Sequence, residues 1–449
     1  MIIRRPLPYL PDSYRYFSRI RPLGMAVWLD SCQPAAPSGR FDILSAGPVA
    51  TFSFHQQHDA GCPFAQLEAL LAEHRVSSHS TPDLPFCGGA LGHFGYDLGR
   101  TVEALPALAE NDMQFPDMQI GIYLWAVIVD HQQQRCELVM QPSLDESTQA
   151  LIERQLTTPV RTKDTENPFE LSYPFRANVT ADQYQQRLSA IDEYIHAGDC
   201  YQVNFAQRFS SEFKGDPLQA YMKLREKAPV PFAAYIESPA GAVLSLSPER
   251  FLQLDNGEVS TKPIKGTRPT HANPIENQAE IDDLLSSTKD RAENLMIVDL
   301  LRNDLSKVCE FGSIKVPALF ALESYANVHH LVSTVTGQLD NDKSAVELLR
   351  SCFPGGSITG APKLRAMEII EELEPHRRSV YCGSIGYISF CGRMDTSITI
   401  RTLLLENNRI HCWAGGGIVA DSKIDEEYQE TFNKVNNLLH CLEDTQKQT

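Results

Sequence analysis

The chain has 449 residues, 42% of them apolar and 22% charged, which is ordinary folded-protein usage and excludes a disordered tail or a disulfide miniprotein. With 40 Lys and Arg against 57 Asp and Glu, the formal charge is −17, a field that repels nucleic acid and anionic membranes. Any anionic ligand must therefore be held by a local cationic or metal site. At roughly 150 residues per domain the length allows about three units, and it is ample for a large core.

Eleven cysteines, an odd number with no C-x-x-C among them, predict a reduced, cytoplasmic setting. Residues 1–10 carry prolines in place of an apolar signal core, and no run approaches 18 apolar residues, so neither a targeting segment nor a membrane partner is expected.

Residues 1–150 form the first unit, rich in short strand-like runs such as 26–29 and 123–129. The run FCGGALGHFGYDLGR, 86–100, sets five glycines among aromatics and predicts tight turns and close backbone approach; it holds no G-x-G-x-x-G, so dinucleotide binding is not indicated. A polar, Thr-rich stretch marks residues 151–178 as a linker, and 179–449 as the second unit. There, a helix over 184–197 follows the cap candidates Thr180 and Asp182 and stops at Gly198. Strands are predicted at 201–209, 232–236 and 241–246, and one long helix over 282–307 with an apolar stripe of Leu295, Met296, Val298, Leu301 and Leu305. Further strands at 384–390, 397–405 and 409–413 precede a last helix over 426–442. Without a regular βαβ period, the pattern predicts an α+β fold with large, mostly antiparallel sheets.

Four runs carry candidate chemistry. AGGGIVADS, 414–422, puts Gly415, Gly416 and Gly417 after a strand, where backbone amides can approach an anion. In the following helix Glu427, Glu430 and Lys434 share a face at i, i+3 and i+7, opposite Tyr428, Phe432, Val435 and Leu439. Alone, that face would be solvated charge; a second acidic helix turned toward it would make it a site. KDRAENLMIVDLLRND, 289–304, offers one through Glu293, and oxygen-only ligands from Glu293 and Glu430 suit Mg²⁺, whereas no His/Cys cluster suits zinc. TKPIKGTRP, 261–269, sets Lys265 between Ile264 and Gly266, near Glu249 of SPER, 247–250; a lysine in an apolar site beside a carboxylic acid can be a nucleophile beside a general acid. FPGGSITGAPKLRAMEII, 353–370, opens a helix after a glycine-rich turn, a seat for an anion, and departs from a P-loop at Ala361.

Together with YQVNFAQR (201–208), VHHLVSTVTG (328–337), GSIGYIS (383–389) and DTSITIRT (395–402), these runs resemble the chorismate-utilising enzymes over residues 180–440 in one order; WLDS (28–31) and GRFDIL (39–44) resemble the family's N-terminal region. The resemblance implies the anthranilate synthase component I-like fold, a sandwich of large orthogonal antiparallel sheets with helices outside. It implies Mg²⁺ on Glu293 and Glu430, with Glu427 beside them, holding the ring carboxylate of chorismate. Gly266, Thr267, Tyr387, Arg401, Lys434 and the amides of Gly415, Gly416 and Gly417 would bind substrate. Glu249 would be the general acid, and His330 and Thr359 would line the reacting face.

Within the family, the water-using isochorismate and salicylate synthases are expected to carry a lysine base where this chain has Gln202, and the anthranilate synthases an alanine where it has Lys265. By that resemblance the lysine marks the aminodeoxychorismate-forming branch, and the implied mechanism is that Lys265 attacks chorismate C2, the C4 hydroxyl leaves, and ammonia replaces the lysine. No G-x-C-x-G nucleophile motif is present, so ammonia would come from a separate glutamine amidotransferase subunit. Ser31, Ser38, Gly39, Arg40, Phe41, Pro231, Phe232 and Ala233 match the family's tryptophan pocket by position, which makes L-tryptophan a candidate ligand. The competing expectations are anthranilate synthase component I and an inactive, tryptophan-binding regulatory paralogue.

Overall fold

In the computed structural model, which describes residues 2–36, 39–75, 83–158, 167–325 and 328–444, twenty-three strands alternate with helices among the described residues, and the strands fall into two sheets. Among the described residues the named strands pair antiparallel throughout. The larger sheet runs from Ile3–Leu7 through Trp125–Asp130, Phe41–Ser45 and Val27–Asp30 to Phe232–Ser238, Gly241–Ser247, Thr402–Glu406, Arg409–Ile418 and Gln202–Lys214. The smaller has Arg250–Asp255, Met394–Ile398, Ser384–Ser389 and Gly89–Phe94 at its centre, with Ile264–Pro269 and Val328–Gln338 at one end. Both sheets feed one core, for example Val127, Leu244 and Leu404 from the first and Leu252, Ile385 and Ile398 from the second. Each such buried side chain contributes about 1.5–3 kcal/mol.

Segments before residue 150 and after 179 are neighbours within both sheets: Val27–Asp30 pairs with Phe232–Ser238, and Gly89–Phe94 with Ser384–Ser389. Between them lie the helix Glu146–Thr157 and two short strands, Glu170–Leu171 and Arg176–Ala177, laid on Gln202–Lys214; residues 159–166 of the expected linker lie outside the described residues.

Three predicted elements differ. The glycine-rich run 86–100 contains a buried strand, because a Cβ at Gly89 would sit 2.2 Å from the Ile388 carbonyl oxygen and one at Gly92 2.1 Å from that of Gln119. Glycine there serves sheet packing. The long helix predicted over 282–307 is two helices, Pro274–Ser286 and Thr288–Ser306, broken at Ser287, whose extended backbone (ψ 109°) lets its side chain accept from the Asp290 amide and cap the second. In the second helix Val298, Leu301 and Leu305 are buried, but Leu295 is 46% exposed. The apolar run 397–405 is the end of one strand and the start of another in the opposite sheet, joined through Arg401 at φ +51°.

The helix Ala181–Ala197 follows the expected cap: Thr180 and Gln183 form a capping box, and Gly198 closes it in the left-handed region. Together with Lys363–Leu373 it covers Gln202–Lys214 through a second core of Tyr184, Leu188, Phe205, Ala366 and Ile370. No helix among the described residues is long and apolar enough to cross a membrane.

Candidate active site

Two corners, where the chain leaves one sheet for the other, lie side by side. One is Pro248–Glu249, between Gly241–Ser247 and Arg250–Asp255; the other is residues 399–401, between Met394–Ile398 and Thr402–Glu406. They are tied by the Ile398 amide donating to the Glu249 carbonyl (3.1 Å) and the Leu246 amide to the Arg401 carbonyl (3.0 Å). Corner residues are released from regular strand alternation, so Glu249 and Arg401 can both turn inward. Glu249 is buried, and its carboxylate accepts from Ser357 Oγ at 2.8 Å. Burial pushes its carboxyl up to about 7, opposed by the Ser357 hydrogen bond and the positive charge of Lys265. It therefore holds a proton close to neutrality.

Lys265 is placed by a bulge. Lys265 opposes Leu331 and Thr267 opposes His330, which leaves Gly266 as an extra residue at φ +77°. A side chain there would meet Leu284 and Asp290 at 2.8–3.0 Å, so glycine alone fits. Lys265 Nζ donates to the Ser357 carbonyl at 3.3 Å. Burial lowers its pKa, while Glu293 and Glu249 oppose the shift, so the amine is drawn toward its neutral, nucleophilic form.

The two acidic helices face one another, since Lys289 Nζ lies 3.8 Å from Glu427 Oε1. Glu427 also accepts from Ser422 (2.7 Å), and Glu430 pairs with Lys434 at 2.6 Å. Burial raises the carboxyls of both Glu293 and Glu427; the charge of Glu427 adds to the first shift and that of Glu430 to the second. A Cβ on Gly416 would stand 3.0 Å from Glu427 Oε2 and 3.6 Å from Glu430 Oε1, so the glycine leaves the carboxylates their space. Among the described residues no three His, Cys, Asp or Glu side chains already close on one point. An open, all-oxygen set fits a hard cation that keeps waters and takes one or two carboxylates plus substrate oxygens.

Gly415, Gly416 and Gly417 lie within the strand Arg409–Ile418, opposite Ala206, Phe205 and Asn204, and not in the turn expected after it. The Ala206 amide is taken by Glu374 and the Asn204 amide by the Thr359 carbonyl. The pairs with Gly415 and Gly417 are thus not hydrogen-bonded, and those two glycines present their amides to the strand's other edge. There Lys434 Nζ takes the Gly415 carbonyl at 2.8 Å, and Thr402–Glu406 pairs only as far as Cys412. The Gly416 amide is spent in the ladder, so only its neighbours can serve a ligand.

His330, Arg401 and Lys434 line a cavity of about 260 Å³ together with Pro248, Tyr325 and Pro231. His330 Nδ1 is 2.9 Å from Thr267 Oγ1, and burial with the nearby Arg401 lowers its pKa to about 4, so the ring is neutral. The guanidinium of Arg401 has no ion-pair or hydrogen-bond partner among the described residues, and burial lowers its pKa. Thr359 is fully buried beneath the Gly356–Ile358 turn, its hydroxyl near the carbonyls of Gly355 (3.1 Å) and Gly356 (3.3 Å). Tyr387 does not join this group. It lines a second cavity of about 500 Å³, because strand alternation turns it to the side of Ser384–Ser389 that faces Arg250 and Asp395.

That second cavity is also lined by Gly39, Arg40, Phe41, Pro231, Phe232 and Ala233. Ser31 is buried behind it, its hydroxyl donating to Asp42 at 2.6 Å, and Ser38 lies outside the described residues. Sequence reading missed Ser357, which touches both Glu249 and Lys265; a serine in a glycine-rich turn carries no signal of its own.

The family model for chorismate binding enzymes matches residues 25–440. Aminodeoxychorismate synthase component 1 of Salmonella typhimurium is 49% identical over 97% of this chain and 97% of its own length, and that of Escherichia coli K12 is 49% identical over 95% of each. The structure superposes on anthranilate synthase component I from Streptococcus pneumoniae with a TM-score of 0.78 at 32% identity, covering 90% of this chain and 92% of that one.

Proposed function

The chain belongs to the chorismate-binding enzyme family, and on that premise we propose that it is the component that converts chorismate and ammonia to 4-amino-4-deoxychorismate, a precursor of p-aminobenzoate and folate. The observation that carries this reading is the position of Lys265. It lies beside the buried acid Glu249, both held by Ser357, where a solvated surface lysine would not be.

Lys265, with its pKa lowered by burial, supplies an amine that attacks C2 of the chorismate ring as its double bonds shift and the C4–O bond breaks. Glu249, protonated near neutrality, gives its proton to the departing hydroxyl, which leaves as water. Ammonia then attacks C4, the double bonds shift back, and the C2–N bond breaks to return Lys265. One nitrogen is gained and one water lost, and the enolpyruvyl group stays in place. Chorismate is a dicarboxylate, so the unpaired Arg401, Lys434 and the outward amides of Gly415 and Gly417 suit one carboxylate. Glu293, Glu427 and Glu430 would hold Mg²⁺, which supplies charge neutralisation and a template for the other.

The word component in the relatives' names supports a second subunit that delivers ammonia, an amidotransferase acting on glutamine. The eleven cysteines are all free thiols, which supports a cytoplasmic setting. The second cavity, with Phe41 and Phe232 in its wall, would take L-tryptophan.

The test incubates purified protein with chorismate, Mg²⁺ and ammonium, alongside Lys265→Ala, with products identified by mass. An amine that keeps the enolpyruvyl group, lost in the variant, supports the reading. Anthranilate as product moves the chain to the branch of its structural neighbour, and no turnover even with a glutamine-hydrolysing partner leaves a tryptophan-binding regulatory protein.

A further inference from the structure

One residue touches both reacting groups and has no assigned part in the reaction. Ser357 Oγ donates to Glu249 Oε1 at 2.8 Å, and the carbonyl of the same residue accepts from Lys265 Nζ at 3.3 Å. The acid comes from a corner between strands and the amine from the strand Ile264–Pro269, 16 positions further along, and Ser357 from a turn some 90 residues beyond that. Their mutual placement thus depends on how firmly that turn is held.

It is held from every side. A Cβ on Gly355 would meet Ile398 at 2.9 Å and one on Gly356 would meet Leu300 at 2.6 Å, so the turn is pressed against both neighbouring elements. The next carbonyl, that of Ile358, accepts from Arg378 Nη1 at 3.0 Å and from Asn204 Nδ2 at 2.9 Å. Arg378 is fully buried, gripped by Glu374 at 2.6 Å and flanked by the rings of Tyr96 and Tyr381. The Thr359 carbonyl accepts from the Asn204 amide at 2.8 Å. A turn fixed on both sides of Ser357 leaves its hydroxyl and carbonyl little freedom to follow a moving partner, which is what preorganising a reacting pair requires.

We propose that Ser357 is a positioning residue that couples the acid to the nucleophile, its hydroxyl orienting the Glu249 carboxyl while its carbonyl orients the Lys265 amine. The inference rests on the chorismate-aminating reading and adds to it a division of labour: the side chain governs the acid, the main chain governs the amine. Removing the hydroxyl should therefore disturb Glu249 and spare Lys265. The ionisable groups that act on Glu249 are Lys265, whose charge lowers it, and the thiol of Cys382; its remaining contacts are the Ser357 hydroxyl and the Ile264 amide. Because the hydroxyl stabilises the carboxylate, its loss raises the Glu249 pKa, and the alkaline limb of kcat/KM, where a general acid loses its proton, moves to higher pH.

Ser357→Ala, Ser357→Thr and wild type are compared in two measurements: the pH profile of ammonium-dependent chorismate turnover, and titration of the Glu249 carboxyl by infrared difference against Glu249→Gln. In Ser357→Ala we expect kcat about tenfold lower, KM for chorismate nearly unchanged, the alkaline limb and the carboxyl titration both about one unit higher, and the acid limb unmoved. Ser357→Thr, which keeps a hydroxyl, should return the titration toward wild type. A Glu249 titration and alkaline limb that stay in place in Ser357→Ala overturn the proposal, as does an equal displacement in Ser357→Thr. The infrared titration needs no turnover: if wild type fails to aminate chorismate while Ser357→Ala still raises the Glu249 carboxyl, the reaction assignment falls and the coupling stands.

Discussion

The two cavities differ in how their charges are balanced. Around the larger one every charged lining residue is paired: Asp30 with Arg225 (2.5 Å), Arg40 with Asp130 (2.8 Å), Asp83 with Arg4 (2.7 Å), Arg250 with Asp395 (3.0 Å) and Arg393 with Asp255 (2.6 Å). At the smaller one and the cleft beside it, Arg401 has no partner, Glu293 has none within 4.0 Å and Lys265 has only a carbonyl, all among the described residues. Burying an uncompensated charge costs several kcal/mol, so a fold that keeps one holds it for a ligand that completes the pair. A cavity whose charges are already satisfied can offer shape and hydrogen bonds, which suits a ligand with no net charge.

That contrast sets the order of expected effects. Lys265→Ala removes the amine proposed to form and break a bond, and should reduce amination roughly a thousandfold, measured as product per enzyme under saturating ammonium. Arg401→Gln comes next. Losing the buried charge proposed to face a substrate carboxylate should weaken chorismate binding about a hundredfold, while the melting temperature stays unchanged or rises, because no partner among the described residues is abandoned. The matching change in the other cavity, Arg250→Gln, strands Asp395 and should cost about 3 kcal/mol of stability with chorismate affinity nearly unaltered. If the two arginines behaved alike, paired and unpaired charge would not distinguish the cavities.

A milder probe lies in the carboxylate set. Gly416→Ala puts a methyl group 3.0 Å from Glu427 Oε2 without altering any charge, and should lower the affinity for Mg²⁺ about tenfold, read as the metal concentration giving half-maximal turnover. Unchanged metal dependence would remove Glu427 and Glu430 from the ligand set.

Local spacing made part of the site legible. Glu427, Glu430 and Lys434 share a face because 3.6 residues per turn requires it, and Val435 and Leu439 are buried on the other side. What stayed hidden depends on sheet order and on neighbours distant in sequence. Tyr387 lies on a strand whose alternation is readable, but which cavity its face meets is decided by strands hundreds of residues away. The glycines at 415–417 look like a turn, yet they are small because Phe205 and Glu427 press on a strand. The break at Ser287 had its signal in a serine three residues before Asp290, which the apolar stripe across 282–307 overrode. Ser357 had none, since its value comes wholly from Glu249 and Lys265 meeting it in space.

The smallest effect tests whether the cavities are independent. Pro231 lines both, so a ligand filling the larger cavity would abut a residue that also bounds the smaller. Ala233 is buried two positions further along and lines only the larger cavity. Ala233→Leu adds three carbons to that wall, and we expect L-tryptophan to raise the melting temperature of wild type but not of the variant, as a ligand selective for the folded state does. Turnover of chorismate without tryptophan should stay within about twofold of wild type, because the added volume enters a cavity that holds none of the reacting groups. A large loss of turnover would mean that Pro231 transmits the change, and that the paired and unpaired cavities work as one mechanical unit.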